Sequence, residues 1–250
     1  MKPGNRSINN LSMLTASMSK LSEQDAKIKR RDLTEAYFLR GQCLLELFRS
    51  QEAYDSFHQV IELNPNNAEA YYYRGLSRVS TNHSKCIQDF NRALAINPEL
   101  FEAFLARACI YGMQGRFTKA ILNCNEAVKL NKKAVRGYLY RGALKYLARS
   151  PLYAIHDLTE AIKLDQTCAL AFYNRALAYQ QMKQFKNALK DFSIVIMLGE
   201  YLKFKVLINR GLLYFSLKDY ANALVDFKLA SQFLPQDFKI QHMIGVCLHK

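Results

Sequence analysis

Six arginines recur along this 250-residue chain at nearly constant spacing. They are Arg40, Arg74, Arg107, Arg141, Arg175 and Arg210, separated by 34, 33, 34, 34 and 35 residues. A second periodic set follows them: Ser56, Asp89, Asn123, Asp157, Asp191 and Asp226. Four copies therefore couple an arginine with an aspartate: Arg74 with Asp89, Arg141 with Asp157, Arg175 with Asp191, and Arg210 with Asp226. Such residues can do one of two things. Paired, they form bridges that fix one segment against another; left unpaired, the arginines form a ladder that grips an anionic ligand. A ligand ladder would not need an acid recurring beside it, so the pattern favours bridges. Signs of catalysis are absent. The chain has no G-x-x-x-x-G-K-[ST], no H-E-x-x-H and no G-x-S-x-G. His242 and His249 share a helical face two turns apart, too far for a simple two-ligand metal site. The six cysteines form no C-x-x-C pair and read as reduced thiols rather than disulfides or a zinc site. No catalytic residue, cofactor or metal is expected, and no feature supports an enzyme.

The elements that position these pairs follow from the same period. With the first copy starting at Thr34, position 8 reads Gly41, Gly75, Ala108, Gly142, Ala176 and Gly211. Position 20 reads Ala53, Cys86, Ala120, Ala154, Ala188 and Ala223, given one residue lost from the turn of the second copy. Position 24 reads Phe57, Phe90, Cys124, Leu158, Phe192 and Phe227. Positions 20, 24 and 27 share one stripe of a helix, and positions 4, 8 and 11 share a stripe of an earlier one. Small residues at 8 and 20 let two helices approach closely, and the large residue at 24 fills the space beside them. Each copy is thus a helical hairpin that cannot bury its face alone and must stack on its neighbours. Ser150 before Pro151 is expected to cap a helix, as is Asp219, and the prolines of "NPNN", "NPEL" and "LPQD" are expected to stop helices. The longer turn "LGEYLK" predicts an altered stacking angle after the fifth copy.

An aromatic at position 4, Gly or Ala at 8, Tyr or Leu at 11, an aromatic at 17 (Phe117, Phe185, Tyr220), Ala at 20, Phe at 24, Ala at 27 and Pro at 32 resembles the tetratricopeptide repeat. The resemblance implies an all-α fold, a right-handed superhelical solenoid of helix-turn-helix repeats. Six copies are expected, at 34–67, 68–100, 101–134, 135–168, 169–203 and 204–237. Residues 1–33 read as a basic, polar arm, largely disordered and then a helical lead-in carrying "KIKRRD". Residues 238–250 read as the first helix of an incomplete seventh copy or as a capping helix, with the chain taken as a fragment or shortened product of a longer array. Arg78 and Lys145 depart from the pattern at position 11.

In this family the first helices line a concave groove, and positions 2, 5, 6, 9, 12 and 13 tend to face it. Carried over, that implies a partner-binding groove with Glu69 and Glu102 at one end and Arg136 and Lys205 toward the other. Tyr72, Leu105, Leu139 and Tyr173 would form its floor, with Tyr146 and Phe215 adding rings and Asn174 and Asn209 adding amides. The position-5 side chains could equally pack against the adjacent hairpin. The clamp that some family members use for chaperone C-termini finds only Asn209 and Lys239, or Asn174 and Lys205, among the required residues.

Half the residues are apolar, enough for a sizeable core, and the formal charge is +14. Residues 101–134 hold six Lys or Arg against two acids; Arg116, Lys119, Lys129, Lys132 and Lys133 lie close together there. That favours acidic partners or solubility rather than any fold. No signal peptide or transmembrane run stands out, so an intracellular, cytoplasmic protein is expected, with the nucleus also open. The sequence points to a non-catalytic scaffold holding a peptide or helical segment of another protein, with a binder of nucleic acid or another polyanion as the alternative. An apolar face on Ile244 and Leu248 would add self-association.

Overall fold

The structure is a computed structural model, and it describes residues 23–199 and 202–250. The expected disordered arm and part of the "LGEYLK" turn lie outside the described residues. Among the described residues there are thirteen α-helices and no strand. In chain order they are α1 Glu23–Glu46, α2 Ser50–Leu63, α3 Ala68–Ser77, α4 His83–Ile96, α5 Phe101–Met113, α6 Phe117–Leu130 and α7 Val135–Leu147. They continue as α8 Pro151–Leu164, α9 Ala169–Gln181, α10 Phe185–Leu198, α11 Lys203–Ser216, α12 Tyr220–Ser231 and α13 Phe238–His249. The fold is an all-α helical repeat. The basic run Lys27–Asp32 lies within α1, which runs unbroken into the first repeat-type helix.

The chain divides into two compact units after Ile110. In the first, α1 packs on α2, α2 on α3 and α3 on α4. In the second, each helix from α6 to α13 packs on the next, and α7 also touches α9.

Side-chain size sets the hairpins. In the first unit a Cβ on Gly41 would lie 2.7 Å from the Phe57 ring, and one on Gly75 2.6 Å from Phe90. In the second unit a Cβ on Gly142 would lie 2.7 Å from Leu158. Phe57, Phe90, Leu158, Phe192 and Phe227 are almost wholly buried. Burying one such ring is worth at most about 4–6 kcal/mol before entropy, from ~150–250 Å² at ~25 cal/mol per Å². Gly245, at the matching place on α13, has nothing within 4 Å of an added Cβ.

The turns inside the hairpins share one geometry. Phe48, Arg149, Lys183 and Lys218 all have φ between 57° and 64°, and Gly115 has φ 71°. Each is the left-handed residue that closes a Schellman motif. At α9, for example, Lys183 N–H bonds to Gln180 O at 3.0 Å and Gln184 N–H to Tyr179 O at 2.9 Å. Between α3 and α4, where one residue is missing, the left-handed position is gone and Asn82 caps α4 instead, accepting from Lys85 N–H at 2.9 Å.

Capping follows the sequence only in part. Asp219 accepts from Asn222 N–H. Ser150 sits at the N-cap of α8, but its side chain accepts no capping bond; Pro151 at the first turn leaves one fewer donor to satisfy. The helices before α3, α5, α7 and α9 end at Asn64, Asn97, Asn131 and Asp165. Each of these side chains accepts from the backbone N–H two residues on, at 2.8–3.2 Å. Two of the four lack a following proline, so the Asx turn, not proline, is the shared stop.

Candidate functional site

The recurring arginines sit on the first helix of each hairpin, and Arg74, Arg141, Arg175 and Arg210 each reach two second helices at once. Arg141 on α7 donates from Nε and Nη2 to the two oxygens of Asp157 on α8, at 2.8 and 2.7 Å, and from Nη1 to Asn125 on α6 at 3.0 Å. Arg175 repeats this with Asp191 at 2.8 and 2.9 Å and Thr159 at 3.1 Å. Arg210 repeats it with Asp226 at 2.9 and 2.7 Å and Ser193 at 2.8 Å. In the first unit Arg74 binds Asp89 at 3.3 and 2.6 Å and faces His58 Nδ1 at 3.2 Å. Arg40 donates to Ser56 at 2.7 Å, and Arg107 to Asn91 at 2.7 Å. In the four arginine–aspartate copies one guanidinium therefore closes its own hairpin and ties it to the one before.

The second tie has its own periodic signal, which the arginine–aspartate pattern overlooks. His58, Asn91, Asn125, Thr159 and Ser193 recur at position 25, spaced 33, 34, 34 and 34 residues apart, each an acceptor one step past the buried large residue. Position 11 divides the pairs into two kinds. Where it holds Tyr179 or Tyr214, the ring lies beside the arginine, at 5.7 and 5.8 Å. Where it holds Arg78 or Lys145, that residue is a second cation on the same carboxylate. Arg78 bonds to Asp89 at 3.1 Å and Lys145 to Asp157 at 2.6 Å. Tyr54 then covers Arg78, 4.1 Å from its ring centre.

Burial alone would push the Asp157 carboxyl up, but the bonds from Arg141 and Lys145 outweigh it and hold the carboxyl below its ordinary value. Burial works against the Arg141 charge, yet the Asp157 partner raises its pKa overall. Among the described residues no buried side-chain nitrogen or oxygen lacks a hydrogen-bond partner. These arginines are committed inside the molecule.

The groove-type positions separate. Leu105 and Leu139 are only 4% and 7% exposed, so the structure resolves for packing the alternative that the sequence left open at these two. Tyr72 is half-buried against Phe90 and Tyr73. Phe215 is half-buried, edge-on to Tyr220. Glu69 is exposed, Glu102 half-buried, and Arg136 and Lys205 exposed. Glu69 shares a cavity of about 400 Å³ with Glu35 and with Lys27, Arg30 and Arg31 of α1. That end is therefore mixed in charge, because α1 extends farther than the repeat pattern implied. Asn174 spends its amide on Leu170 O at 2.7 Å.

In the second unit three of these residues come together. Asn209 on α11 donates to the Tyr173 hydroxyl on α9 at 2.9 Å. Burial raises the Tyr173 phenol, the Asn209 bond opposes that, and the nearby Tyr146 of α7 adds to it. Tyr146, Tyr173 and Asn209 are all half-buried, each with part of its surface open to solvent. At α13, Ile244 is half-buried against the core around Phe227, whereas Leu248 is 64% exposed. Of the apolar face expected there, only Leu248 stands clear.

Cys86 and Cys124 are buried at the packing positions, and burial first, then Asp89, raises the Cys86 thiol to about 11. Among the described residues no cluster of three metal-ligating side chains occurs. No helix of the described residues is long and apolar enough to cross a membrane.

A family model described as tetratricopeptide repeat matches residues 34–67, and a second with the same description matches 169–196 and 204–233. The human protein O-mannosyl-transferase TMTC3 is 29% identical over 99 residues, 37% of this chain and 11% of that protein. The chain thus spans a small part of that relative. The structure of pilF from Pseudomonas aeruginosa superposes with a TM-score of 0.73 at 15% identity, covering 85% of this chain and 97% of that one. YrrB, described as a TPR protein with an unusual peptide-binding site, superposes with a TM-score of 0.59 at 18% identity, covering 74% of this chain and 96% of that one. Matched repeats and matching architecture agree with the geometry above, and the chain carries tetratricopeptide repeats at 34–67, 169–196 and 204–233.

Proposed function

We propose that this protein is a non-catalytic scaffold that holds an extended or helical segment of a partner protein against its first helices, as an adaptor in a larger assembly. The repeats and their structural neighbours support a protein-interaction role. The observation that carries the finer reading is the patch of Tyr146, Tyr173 and Asn209. It presents rings and an oriented amide on three successive first helices, while the arginines behind it are fully occupied. A peptide lying across such a row gains apolar contact from the rings and orientation from the polar atoms. The peptide-binding site of YrrB, a protein of like architecture, agrees with this reading.

The polyanion alternative has weaker support. Lys129 is already paired with Glu126 at 2.7 Å, and Lys119 lies over the Tyr111 ring. The discriminating experiment places a photo-crosslinking amino acid at Tyr146 or at Lys205, and, as a comparison, at exposed Lys163 on a second helix. Protein partners should be captured from the first-helix positions and not from Lys163. Equal capture from all three, or capture of nucleic acid in place of protein, removes the proposal.

A further inference from the structure

Of the acceptors that join one hairpin to the next, His58, Asn91, Asn125, Thr159 and Ser193, His58 alone is of a type that changes charge near neutral pH. Its geometry fixes how. Nδ1 lies 3.2 Å from Arg74 Nη1, and a guanidinium only donates, so Nδ1 must be the ring nitrogen that carries a lone pair. The ring is then neutral with its proton on Nε2, and Nε2 is 4.0 Å from Glu62 Oε1, one turn further along α2. The histidine thus stands between a cation on α3 and a carboxylate on its own helix. Its side chain is 43% exposed, so protons reach it freely.

The surroundings decide what a proton does there. On α2, Tyr54 stacks parallel to the ring at 6.0 Å, and Glu62 is the charged neighbour. From the α3 side come Arg74 and, just past the helix end, Arg78, which lies 4.1 Å over the Tyr54 ring. Asp89 of α4 lies behind these two arginines and is bonded to both. Arg40 of α1 is turned to Ser56. A proton taken up from solvent at Nδ1 abolishes the acceptor and sets two cations side by side. Glu62 is the carboxylate that the imidazolium can still reach. Arg74 keeps both of its bonds to Asp89, so its own hairpin stays closed.

We propose that His58 is a proton-operated link between the first two hairpins. Neutral, it accepts from Arg74 and ties α2 to α3; protonated, it releases Arg74 and turns to Glu62. The tie is complete at neutral pH and lost as pH falls through the ordinary histidine range, whereas the asparagine, threonine and serine ties of the later copies do not respond. This regulation of the fold does not depend on the scaffold reading.

The test is amide hydrogen exchange on the full chain at about pH 7.5 and about pH 5.5, corrected for the intrinsic effect of pH on exchange. Wild-type protection in α2 and α3 should fall about fivefold at the lower pH, the scale of one partly exposed hydrogen bond, while α10 to α12 hold. His58→Ala, which has no acceptor, should show the lower protection at both pH values. His58→Asn, the acceptor type found at 91 and 125, should show equal protection at both. Glu62→Gln should move the wild-type change to lower pH, because the carboxylate favours the proton. Wild-type protection that ignores pH, or a pH response that persists in His58→Ala or His58→Asn, overturns the proposal. A Glu62→Gln response that stays in place or moves to higher pH overturns the exchange of partners.

Discussion

Asp157 shows how much one residue carries. Its side chain is 1% exposed and receives three charge-assisted bonds, two from Arg141 and one from Lys145. Removing the carboxylate strands two cations in a partly desolvated site. Asp157→Ala should cost about 3–5 kcal/mol of unfolding free energy, whereas replacing Asp157 and Arg141 together by apolar residues should cost much less than the sum. Urea melts of the single and double variants measure the coupling, and a value near zero would remove the bridge as a stabilising element. The acid dependence follows from the lowered carboxyl. A folded-state pKa below the unfolded value means that this stability is complete above about pH 3.9 and is lost as pH falls through the depressed folded value. The gap between wild type and Asp157→Asn should therefore hold constant from pH 7 down to about pH 5 and shrink below about pH 4. A gap that instead widens in acid contradicts the assigned direction.

At the scale of the element, the hairpin turn is where local sequence and global geometry part. Lys183 and Lys218 occupy the left-handed region with φ 58° and 64°, a place that glycine fills without steric cost and that Gly115 does fill. The Schellman bonds around them supply the compensation. Lys183→Gly should raise unfolding free energy by roughly 0.5–1 kcal/mol, the left-handed penalty less the extra entropy of glycine. Thermal melting checks it, and a fall in midpoint would show that the lysine side chain contributes more than its backbone costs. The same contrast explains what could be read in advance. Gly41, Ala154 and Phe57 announce themselves because size complementarity recurs with the repeat. The turn residues do not, because the left-handed place is filled by Phe48 and Gly115 as well as by the basic Arg149, Lys183 and Lys218, so no single side-chain type marks it. The stops at Asn131 and Asp165 are missed if proline is taken as the signal, since the Asx side chain makes the turn. The double reach of the arginines was hidden for a related reason. Its acceptors vary among His, Asn, Thr and Ser, so they recur as a function and not as a residue type. Among the groove-type positions, Tyr173 and Leu139 occupy equivalent places, yet one is half-buried and the other only 7% exposed. Neighbours, not the repeat pattern, decide that.

For the molecule as a whole, the consequence of a repeat fold is that stability is summed from neighbours rather than from one common core. In the second unit the packing runs from α6 to α13 with each helix resting on the next, and the guanidiniums of Arg141, Arg175 and Arg210 join every hairpin to its predecessor. A local insult should therefore spread over one or two hairpins and then fade. Ala154 is fully buried where α8 meets α7, and a Cβ on Gly142 would already lie 3.3 Å from its carbonyl oxygen. Ala154→Leu overpacks that contact at a cost of about 1–3 kcal/mol. Amide hydrogen exchange should then rise in α7, α8 and α9, where the displaced side chains and the Arg175 to Thr159 tie lie, while α11 to α13 keep protection close to wild type. Unchanged exchange throughout would show that the small residue at this position is not what sets helix approach. A uniform rise across the second unit would show a single cooperative core in place of a chain of neighbours.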